Sequence, residues 1–234
     1  MRRSLVAASV AGLVALAGAV LIPGTARAAA NLTCQVGFPS GAKGTYNNVI
    51  VPSTAKGSNF CFLDGATVLG NVSVQPGGAV FIANSTIAGT LTSTSAGTGT
   101  GGGGATFSVV MCGTTLGGNM SISGSSSPVE IFTDDYNSCI GGSAGNTLNG
   151  ANNIVVDNRG GVEVESNQVN GNLSVSDNRG LIHAPNPDSD EVANQTTAVN
   201  NNSDSTHRLS CWNNAGVVVS SVNTFQSVVG QCHL

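Results

Sequence analysis

Apolar and polar residues follow a ten-position pattern that recurs at irregular intervals along this chain. The pattern reads h-x-x-x-[TQ]-h-x-G-[NTQ]-h, where h is apolar, at 63–72, 82–91, 111–120 and 164–173, and a degenerate copy ends at Cys232. The glycines are separated by 19, 29, 53 and 59 residues, counted over Gly70, Gly89, Gly118, Gly171 and Gly230. This spacing is typical of a solenoid with one, one, two, and two or three turns between copies.

Short alternating apolar and polar runs lie between the copies, and each run ends at Gly, Asn, Ser or Asp. Examples are 72–74, 120–122 and 173–175. Such runs predict β-strands that end in turns. Copies in the same direction imply parallel pairing, which normally uses a helical crossover. With 9% charged residues and 32 glycines, the chain lacks the residues of amphipathic helices, so the crossover must itself be strand.

These features predict an all-β fold, a single-stranded right-handed parallel β-helix with short coils. The right hand follows from the rule for parallel crossovers. An antiparallel β-sandwich is the alternative, because short strands with turn signals are also typical of it. We expect an N-terminal cap over 31–59 and a solenoid domain over 60–234, with loops at 93–105 and 184–206. The first loop is rich in Gly, Ser and Thr, so we expect it to be flexible.

Polar residues follow the glycine of each copy, and in a solenoid they would stack. They are Asn71, Thr90, Asn119, Asn172 and Gln231. Stacked amides can form an internal hydrogen-bonded ladder. Capping of surface turns is the other interpretation, because the preceding glycine also suits a plain corner. The sequence leaves both open.

Residues 1–30 have the form of a secretory signal peptide, in which two arginines and an apolar run precede Ala26-Arg27-Ala28. A retained membrane anchor is the alternative, because the run is long enough to span a bilayer. After cleavage we expect a secreted protein without a membrane partner. Five basic and twelve acidic residues follow residue 30, a net charge of −7, and this argues against a nucleic-acid partner.

All six cysteines follow the predicted cleavage site, and an even number in an oxidising compartment predicts three disulfides. Successive pairs are separated by 27, 27 and 21 residues, about one coil each. Residues one coil apart stack at about 4.8 Å, a Cα separation that a disulfide can bridge. We therefore predict three nearest-neighbour staples, Cys34 with Cys61, Cys112 with Cys139, and Cys211 with Cys232.

The tetrapeptide Asp-Asn-Arg-Gly occurs at 157–160 and at 177–180, and a weaker copy lies at 213–216. Because twenty residues make about one coil, the copies should stack and present four charged side chains on one edge. These candidate ligand-binding residues are Asp157, Arg159, Asp177 and Arg179. The edge could bind a sugar or Ca²⁺, since carboxylates suit hard cations. The alternative is a duplicated turn in which Asp caps backbone amides and Arg neutralises the Asp of the next coil.

Apart from Ca²⁺ at that edge, the sequence predicts no cofactor, no metal site and no catalytic residue. Glu163 and Glu165 alternate along one strand, and paired carboxylates can cleave glycosides, but a solvated face is the simpler interpretation. The remaining acidic clusters and the histidines lack the spacing of known metal sites. They are Asp134, Asp135, Asp188, Asp190, Glu191, His183, His207 and His233.

The Val-x-Gly-Asn-Leu-x-Val sequence at 169–175 resembles secreted bacterial right-handed β-helix proteins of the pectin-lyase-like type. The resemblance covers most of 60–232. It implies a stack of coils, and it implies a function among polysaccharide lyases, hydrolases, adhesins and extracellular structural proteins. No lyase or hydrolase signature can be matched residue by residue.

The sequence therefore favours a secreted non-catalytic β-helix scaffold or a surface- or glycan-binding protein, and the expected partner is an extracellular glycan or a cell-surface component. A polysaccharide lyase or glycoside hydrolase that uses the tetrapeptide edge is the alternative. A third hypothesis is binding to a crystalline or ice surface, which needs a Thr-x-Thr ladder on several coils. Thr90 and Thr92 supply such a pair in one coil. Fold alone does not rank these functions.

Overall fold

The computed structural model describes residues 29–35, 40–101, 104–131, 145–179, 197–200, 202–215, 218–221 and 223–232. Within these ranges the chain forms short β-strands, and twenty of them join one sheet with parallel pairing. The strands are β1 (Ala30–Thr33), β2 (Ala42–Val51), β3 (Cys61–Val68), β4 (Val72–Val74), β5 (Val80–Ala83), β6 (Thr86–Ile87), β7 (Leu91–Thr94), β8 (Gly99–Thr100), β9 (Thr106–Phe107), β10 (Val109–Cys112), β11 (Thr115–Leu116), β12 (Met120–Ser123), β13 (Val129–Ile131), β14 (Thr147–Leu148), β15 (Asn152–Val156), β16 (Val162–Glu165), β17 (Gln168–Val169), β18 (Asn172–Ser176), β19 (Thr197–Asn200), β20 (Ser203–Trp212), β21 (Val218–Ser221) and β22 (Thr224–Gly230).

Each coil contributes strands to three faces. Face A stacks β3, β5, β10, β13, β16, β19 and β21, and face C stacks β4, β7, β12, β15, β18 and the ends of β20 and β22. Face B lies between them, with β6, β11, β14 and β17. We number the described coils one to eight; they cover 42–51, 61–74, 80–94, 109–123, 129–156, 162–176, 197–212 and 218–230. The chain forms the predicted parallel β-helix, and the antiparallel sandwich is excluded.

The apolar positions of the ten-residue pattern point inward and stack in columns. Leu63, Ile82 and Met111 stack on face A, and Val72, Leu91 and Met120 stack on face C. All six side chains are fully buried. Each coil thus adds one layer to a continuous apolar core, as expected for a solenoid.

Two predicted disulfides are present among the described residues. Cys34 is bonded to Cys61 with Cα atoms 5.1 Å apart, and Cys211 is bonded to Cys232 with Cα atoms 5.3 Å apart. Cys112 is also disulfide-bonded. Its predicted partner, Cys139, lies outside the described residues.

A buried amide ladder follows the corner between faces A and B. Asn146, Asn167 and Asn202 occupy this corner in successive coils and are nearly or fully buried. The Asn167 Nδ2 donates to Asn202 Oδ1 and to the carbonyl oxygen of Ile131, both at 2.9 Å. The Asn167 backbone N–H also donates to Asn202 Oδ1, at 3.2 Å. Each amide therefore satisfies polar groups of both neighbouring coils, which the buried position demands.

The three asparagines after the pattern glycines do not form the internal ladder that the sequence left open. Asn71, Asn119 and Asn172 are exposed, and Asn71 Oδ1 accepts the backbone N–H of Thr90 at 2.8 Å. Of the two interpretations, surface capping is confirmed for these asparagines. The reason is strand alternation: because Val72 points inward on face C, its predecessor points outward.

The degenerate copy that ends at Cys232 is out of phase with the others. Gly230 pairs with Cys211 at the end of face C, whereas Gly171 precedes that face. The copy missed by sequence reasoning contains Gly150, which stacks on Gly118 so closely that a Cβ atom would overlap the carbonyl of Gly118. The step from Gly118 to Gly171 is therefore two coils, as predicted.

The predicted flexible loop at 93–105 is partly structured. Ser93 and Thr94 belong to β7, and β8 pairs with β9 in an antiparallel hairpin. Phe107 of this hairpin packs edge-on against Phe60 and Phe81, with ring centroids 4.9 and 5.8 Å apart. These aromatic rings form a second buried cluster on the outer side of face A.

The other predicted boundaries shift as well. The N-terminal segment at 31–59 contains β1 and β2, and β2 already pairs with β3 and β4 as part of the stack. In the loop predicted at 184–206, residues 197–200 form β19 and β20 begins at Ser203, while 184–196 lie outside the described residues. Residues 1–28 of the predicted signal peptide also lie outside them. No helix in the described ranges is long and apolar enough to cross a membrane.

Candidate functional site

The tetrapeptide copies stack at the corner between faces C and A, as predicted. The backbone N–H of Arg179 donates to the carbonyl of Asn158 at 2.8 Å, and that of Ala215 donates to the carbonyl of Asn178 at 2.8 Å. Asp157 and Asp177 open the turn with φ of 53° and 57°. This left-handed backbone is one that Asp and Asn tolerate better than most side chains.

The second residue of each tetrapeptide carries the structure of the turn. Asn158, Asn178 and Asn214 are buried. The Nδ2 of Asn158 donates to Asn178 Oδ1, and the Nδ2 of Asn178 donates to Asn214 Oδ1, both at 2.9 Å. Gln231 ends this ladder by accepting the backbone N–H of Asn214 at 2.7 Å. The duplicated turn is therefore a second internal amide ladder.

The charged members of the tetrapeptides share one edge but do not pair with one another. Asp157, Arg159 and Arg179 are exposed, and Asp177 is half-buried and accepts Asn213 Nδ2 at 2.6 Å. Among the described residues, ion pairs join other side chains, so the predicted neutralisation of Asp by the Arg of the next coil is not observed. Ligand binding at this edge remains a prediction.

The paired glutamates do not lie on the solvated face that the sequence suggested. Glu163 is half-buried and aligns with Glu130 of the preceding coil, and Glu165 is only 4% exposed. Each of these carboxylates takes part in further interactions of the fold. The other acidic candidates, as well as His183 and His233, lie outside the described residues. Within the described ranges, no three His, Cys, Asp or Glu side chains gather as metal ligands would.

A depression of about 550 Å³ on the outward side of face C was not foreseen from the sequence. Three stacked strands, β15, β18 and β20, line it in continuous register. The side chains that line it include Asn152, Ile154, Asn172, Ser174, Arg208 and Ser210. This volume is in the range of small-molecule sites.

Trp212 lies on the same strand, β20, beyond the lining of the depression, and its ring is close to Gly230 of coil eight. Trp212 follows Ser210 by two residues, so both side chains point outward, and its side chain is 51% exposed. The neighbouring polar groups are ordered: Asn172 Nδ2 donates to Asn152 Oδ1 at 3.3 Å, and Asn172 Oδ1 accepts the backbone N–H of Arg208 at 3.2 Å. The guanidinium of Arg208 is in none of the ion pairs of the described residues.

A β-bulge in coil seven directly precedes Arg208, which lines this depression. The register of β20 shifts between Asp204 and Arg208, and Asp204 takes the inward position that Phe225 holds in the next coil. Its side chain, 4% exposed, contacts His207 Nδ1 at 2.7 Å. The backbone N–H and the hydroxyl of Thr206 donate to Asp204 Oδ1 at 2.7 and 2.9 Å.

The buried carboxylate of this bulge stays ionised. Burial by itself raises the pKa of Asp204, but the hydrogen bonds from Thr206 and His207 outweigh it and lower the pKa below its ordinary value. Because Asp204 accepts, Nδ1 of His207 carries the shared proton. Asp204 is thus a buried polar residue with all its hydrogen bonds formed, in a column of otherwise apolar side chains. It fixes the first part of β20, the strand that carries Arg208 and Trp212 further on.

Comparison of the chain with protein-family models, with curated proteins and with solved structures gives no match in any of the three. The functional interpretation therefore depends on the geometry of this chain alone.

Proposed function

We propose that the protein is a non-catalytic extracellular scaffold that binds a carbohydrate chain at the face C depression. The observation that carries the proposal is the exposed Trp212 beside a depression lined by amide, hydroxyl and guanidinium groups. An aromatic ring offers a large apolar surface at low entropic cost, which suits the apolar face of a sugar ring. Amides, hydroxyls and Arg offer the donors and acceptors that sugar hydroxyls require.

The disulfides support an extracellular setting. Cys34–Cys61 and Cys211–Cys232 staple the described ends of the stack, and such bonds persist in oxidising compartments. Glycans of cell walls and cell surfaces occur in those compartments.

A binding role is favoured over glycoside cleavage by the side chains of the depression. Glycosidases mostly place two carboxyl groups on either side of the scissile bond. The residues that line this depression are amides, serines, an isoleucine and an arginine. The nearby Asp204 is buried and already accepts three hydrogen bonds, so it is not available to a substrate.

Isothermal titration with a panel of soluble neutral oligosaccharides tests the proposal. At least one should bind the native protein, and Trp212→Ala should bind it at least tenfold more weakly, equivalent to about 1.4 kcal/mol. The matched control is Leu69→Ala, which removes a side chain of similar exposure, 54%, from coil two. The proposal fails if no oligosaccharide binds, or if both variants bind like the native protein.

A further inference from the structure

In the described part of the chain, one side of the solenoid carries no charged side chain over six successive coils. Faces B and C of coils one to six comprise residues 44–51, 66–75, 85–95, 114–124, 146–156 and 167–176, and these stretches contain no Asp, Glu, Lys, Arg or His. We call their outward residues the uncharged surface. The described charged residues of these coils lie on face A and at its corners, such as Lys43, Asp64, Glu130 and Arg159.

A threonine ladder runs along face B of the uncharged surface. Its members, one per coil and in register, are Thr45, Thr67, Thr86, Thr115 and Thr147. The first four are exposed and the fifth is half-buried. At about 4.8 Å between coils, five threonines span about 19 Å. A Thr-x-Thr spacing does not reveal this column, because the column has one threonine per coil and lies on face B, whereas Thr92 lies on face C.

Hydroxyls and amides continue the lattice onto face C. Ser73, Thr92 and Ser121 stack in register and point outward. Two residues on along each strand, Thr94 and Ser123 start another column. Outward side chains therefore repeat at about 4.8 Å across the strands and about 6.6 Å along them.

Contacts between coils hold some side chains of the uncharged surface in place before any ligand arrives. Thr90 Oγ1 donates to Asn71 Oδ1 at 3.1 Å, and Asn170 Nδ2 donates to Asn149 Oδ1 at 2.7 Å. Ser73 and Thr92 place their hydroxyl oxygens 3.4 Å apart. A surface whose rotamers are already fixed loses little side-chain entropy on binding.

We infer that the uncharged surface binds the ordered face of a crystalline neutral polysaccharide. The inference rests on the proposed function, since it extends carbohydrate binding from the Trp212 depression to the whole surface. A lattice without charge buries no ion against a neutral solid, and so avoids the largest desolvation cost. Its two repeat distances present donors and acceptors as a grid, which only a partner with its own regular grid can contact at many points at once.

Order in the partner distinguishes this surface from a site for a soluble chain. A flexible polysaccharide must lose conformational freedom to lie along six coils, whereas chains in a crystal have already lost it. Many weak contacts between two rigid arrays add up through their simultaneous engagement. We therefore expect a preference for the crystalline over the amorphous form of one and the same polysaccharide.

The test measures adsorption isotherms of the purified protein on microcrystalline chitin and cellulose, and on amorphous swollen cellulose. Native protein should adsorb to at least one of the two crystalline solids. If that solid is cellulose, the protein should bind its crystalline form at least tenfold more tightly than its amorphous form. Thr86→Lys with Thr115→Lys should weaken adsorption at least tenfold. Thr106→Lys, the same exposed change on the β9 hairpin over face A, should stay within twofold of native.

The outcomes separate this inference from the proposed function. Unchanged adsorption of the double-lysine variant, or equal binding of the native protein to crystalline and amorphous cellulose, overturns the inference. The proposed function still stands in that case if soluble oligosaccharides bind the native protein and Trp212→Ala weakens their binding. Adsorption that is weakened by the threonine substitutions but not by Trp212→Ala supports the inference, and it places the carbohydrate-binding site on the uncharged surface and not at the Trp212 depression. Ice affinity without polysaccharide adsorption, measured by thermal hysteresis, overturns the inference as well.

Discussion

Two ladders of the solenoid repeat once per coil in the same register and yet have opposite roles. The inner ladder of Asn146, Asn167 and Asn202 is buried, and its amides hydrogen bond to the side chains and backbones of neighbouring coils. The outer ladder, which includes Thr86 and Thr115, is exposed, and its hydroxyls face solvent. Regular repetition alone therefore does not reveal what a repeated residue does.

Burial decides between the two roles. A polar group inside the stack costs free energy unless every donor and acceptor is satisfied, so the inner positions are committed to the fold. A polar group outside is already satisfied by water and can exchange that water for a ligand. In this molecule the inner ladders hold the coils, and the outer columns remain available for binding.

Truncating the inner ladder should cause the largest loss of stability. Asn167→Ala leaves the Ile131 carbonyl without its side-chain donor and removes one hydrogen bond from each of the amides of Asn146 and Asn202. Those two amides keep other partners, the Met111 carbonyl and the backbone N–H of residue 167. We expect the free energy of unfolding to fall by about 4 kcal/mol, since the orphaned carbonyl costs about 1–3 kcal/mol and each of the two other lost hydrogen bonds about 1 kcal/mol. Urea unfolding followed by circular dichroism measures the change.

Asn170→Ala is the matched control for that variant. It removes an amide three residues later that is exposed and makes one side-chain hydrogen bond, to Asn149. We expect a loss of about 0.5 kcal/mol or less, as for most surface substitutions. Comparable losses in the two variants would contradict the distinction between inner and outer ladders.

Removing the first staple should have the next largest effect. Cys34–Cys61 joins the segment that follows β1 to the start of face A in coil two. Cys34→Ser with Cys61→Ser should lower the free energy of unfolding by about 3 kcal/mol, the usual worth of a loop of this length. If this variant unfolds in urea like the native protein, the staple has no such role.

Acid should produce a smaller loss that originates in coil seven. Because the fold lowers the pKa of Asp204, its carboxylate stabilises the native state above the unfolded pKa of about 4, and this contribution disappears as pH falls through the folded pKa. Asp204→Asn should cost about 1–2 kcal/mol at neutral pH, through weaker bonds to Thr206 and His207. As the pH falls below the unfolded pKa of about 4, the gap between variant and native melting temperatures should narrow. A constant gap between pH 7 and pH 2 would exclude this role for Asp204.

The stacking of the coils could be predicted from the sequence because the ten-residue pattern occurs in several copies. The spacing of Gly70, Gly89 and Gly118 sets the coil length, and the apolar letters fix which positions stack. Two cysteine pairs confirmed among the described residues followed from that coil length and the reach of a disulfide. Each of these inferences needed only one-dimensional spacing and a known strand separation.

The inner ladders could not be assigned in the same way. In the repeated pattern Gly-Asn has an exposed Asn, as at Gly70-Asn71, whereas in Gly145-Asn146 the Asn is buried. Asp157-Asn158 and Ser166-Asn167 also place the Asn inside, after a residue with left-handed backbone. The letters are similar, and only the turn before the Asn decides which way it points. That turn also explains Gly230-Gln231, which belongs with Asp157-Asn158 and not with the glycine pattern.

The candidate site was missed because its residues are far apart in the sequence and individually ordinary. Asn152, Ser174 and Arg208 meet only when three coils are aligned. No sequence pattern singles out Trp212, and the Thr-x-Thr spacing points to Thr90 and Thr92 and not to the threonine ladder of face B. The depression and the threonine ladder could be located only with knowledge of the three faces, which the sequence does not define.

The most direct test of the account uses a new pair of cysteines on the outer ladder. Thr86 and Thr115 are register partners on neighbouring coils, so Thr86→Cys with Thr115→Cys should form an intramolecular disulfide under mild oxidation, at a Cα separation of about 4.8 Å. Thr86→Cys with Thr147→Cys, two coils apart, should remain reduced. Peptide mapping that found the bond in the second variant and not in the first would contradict the in-register stacking on which both ladders depend.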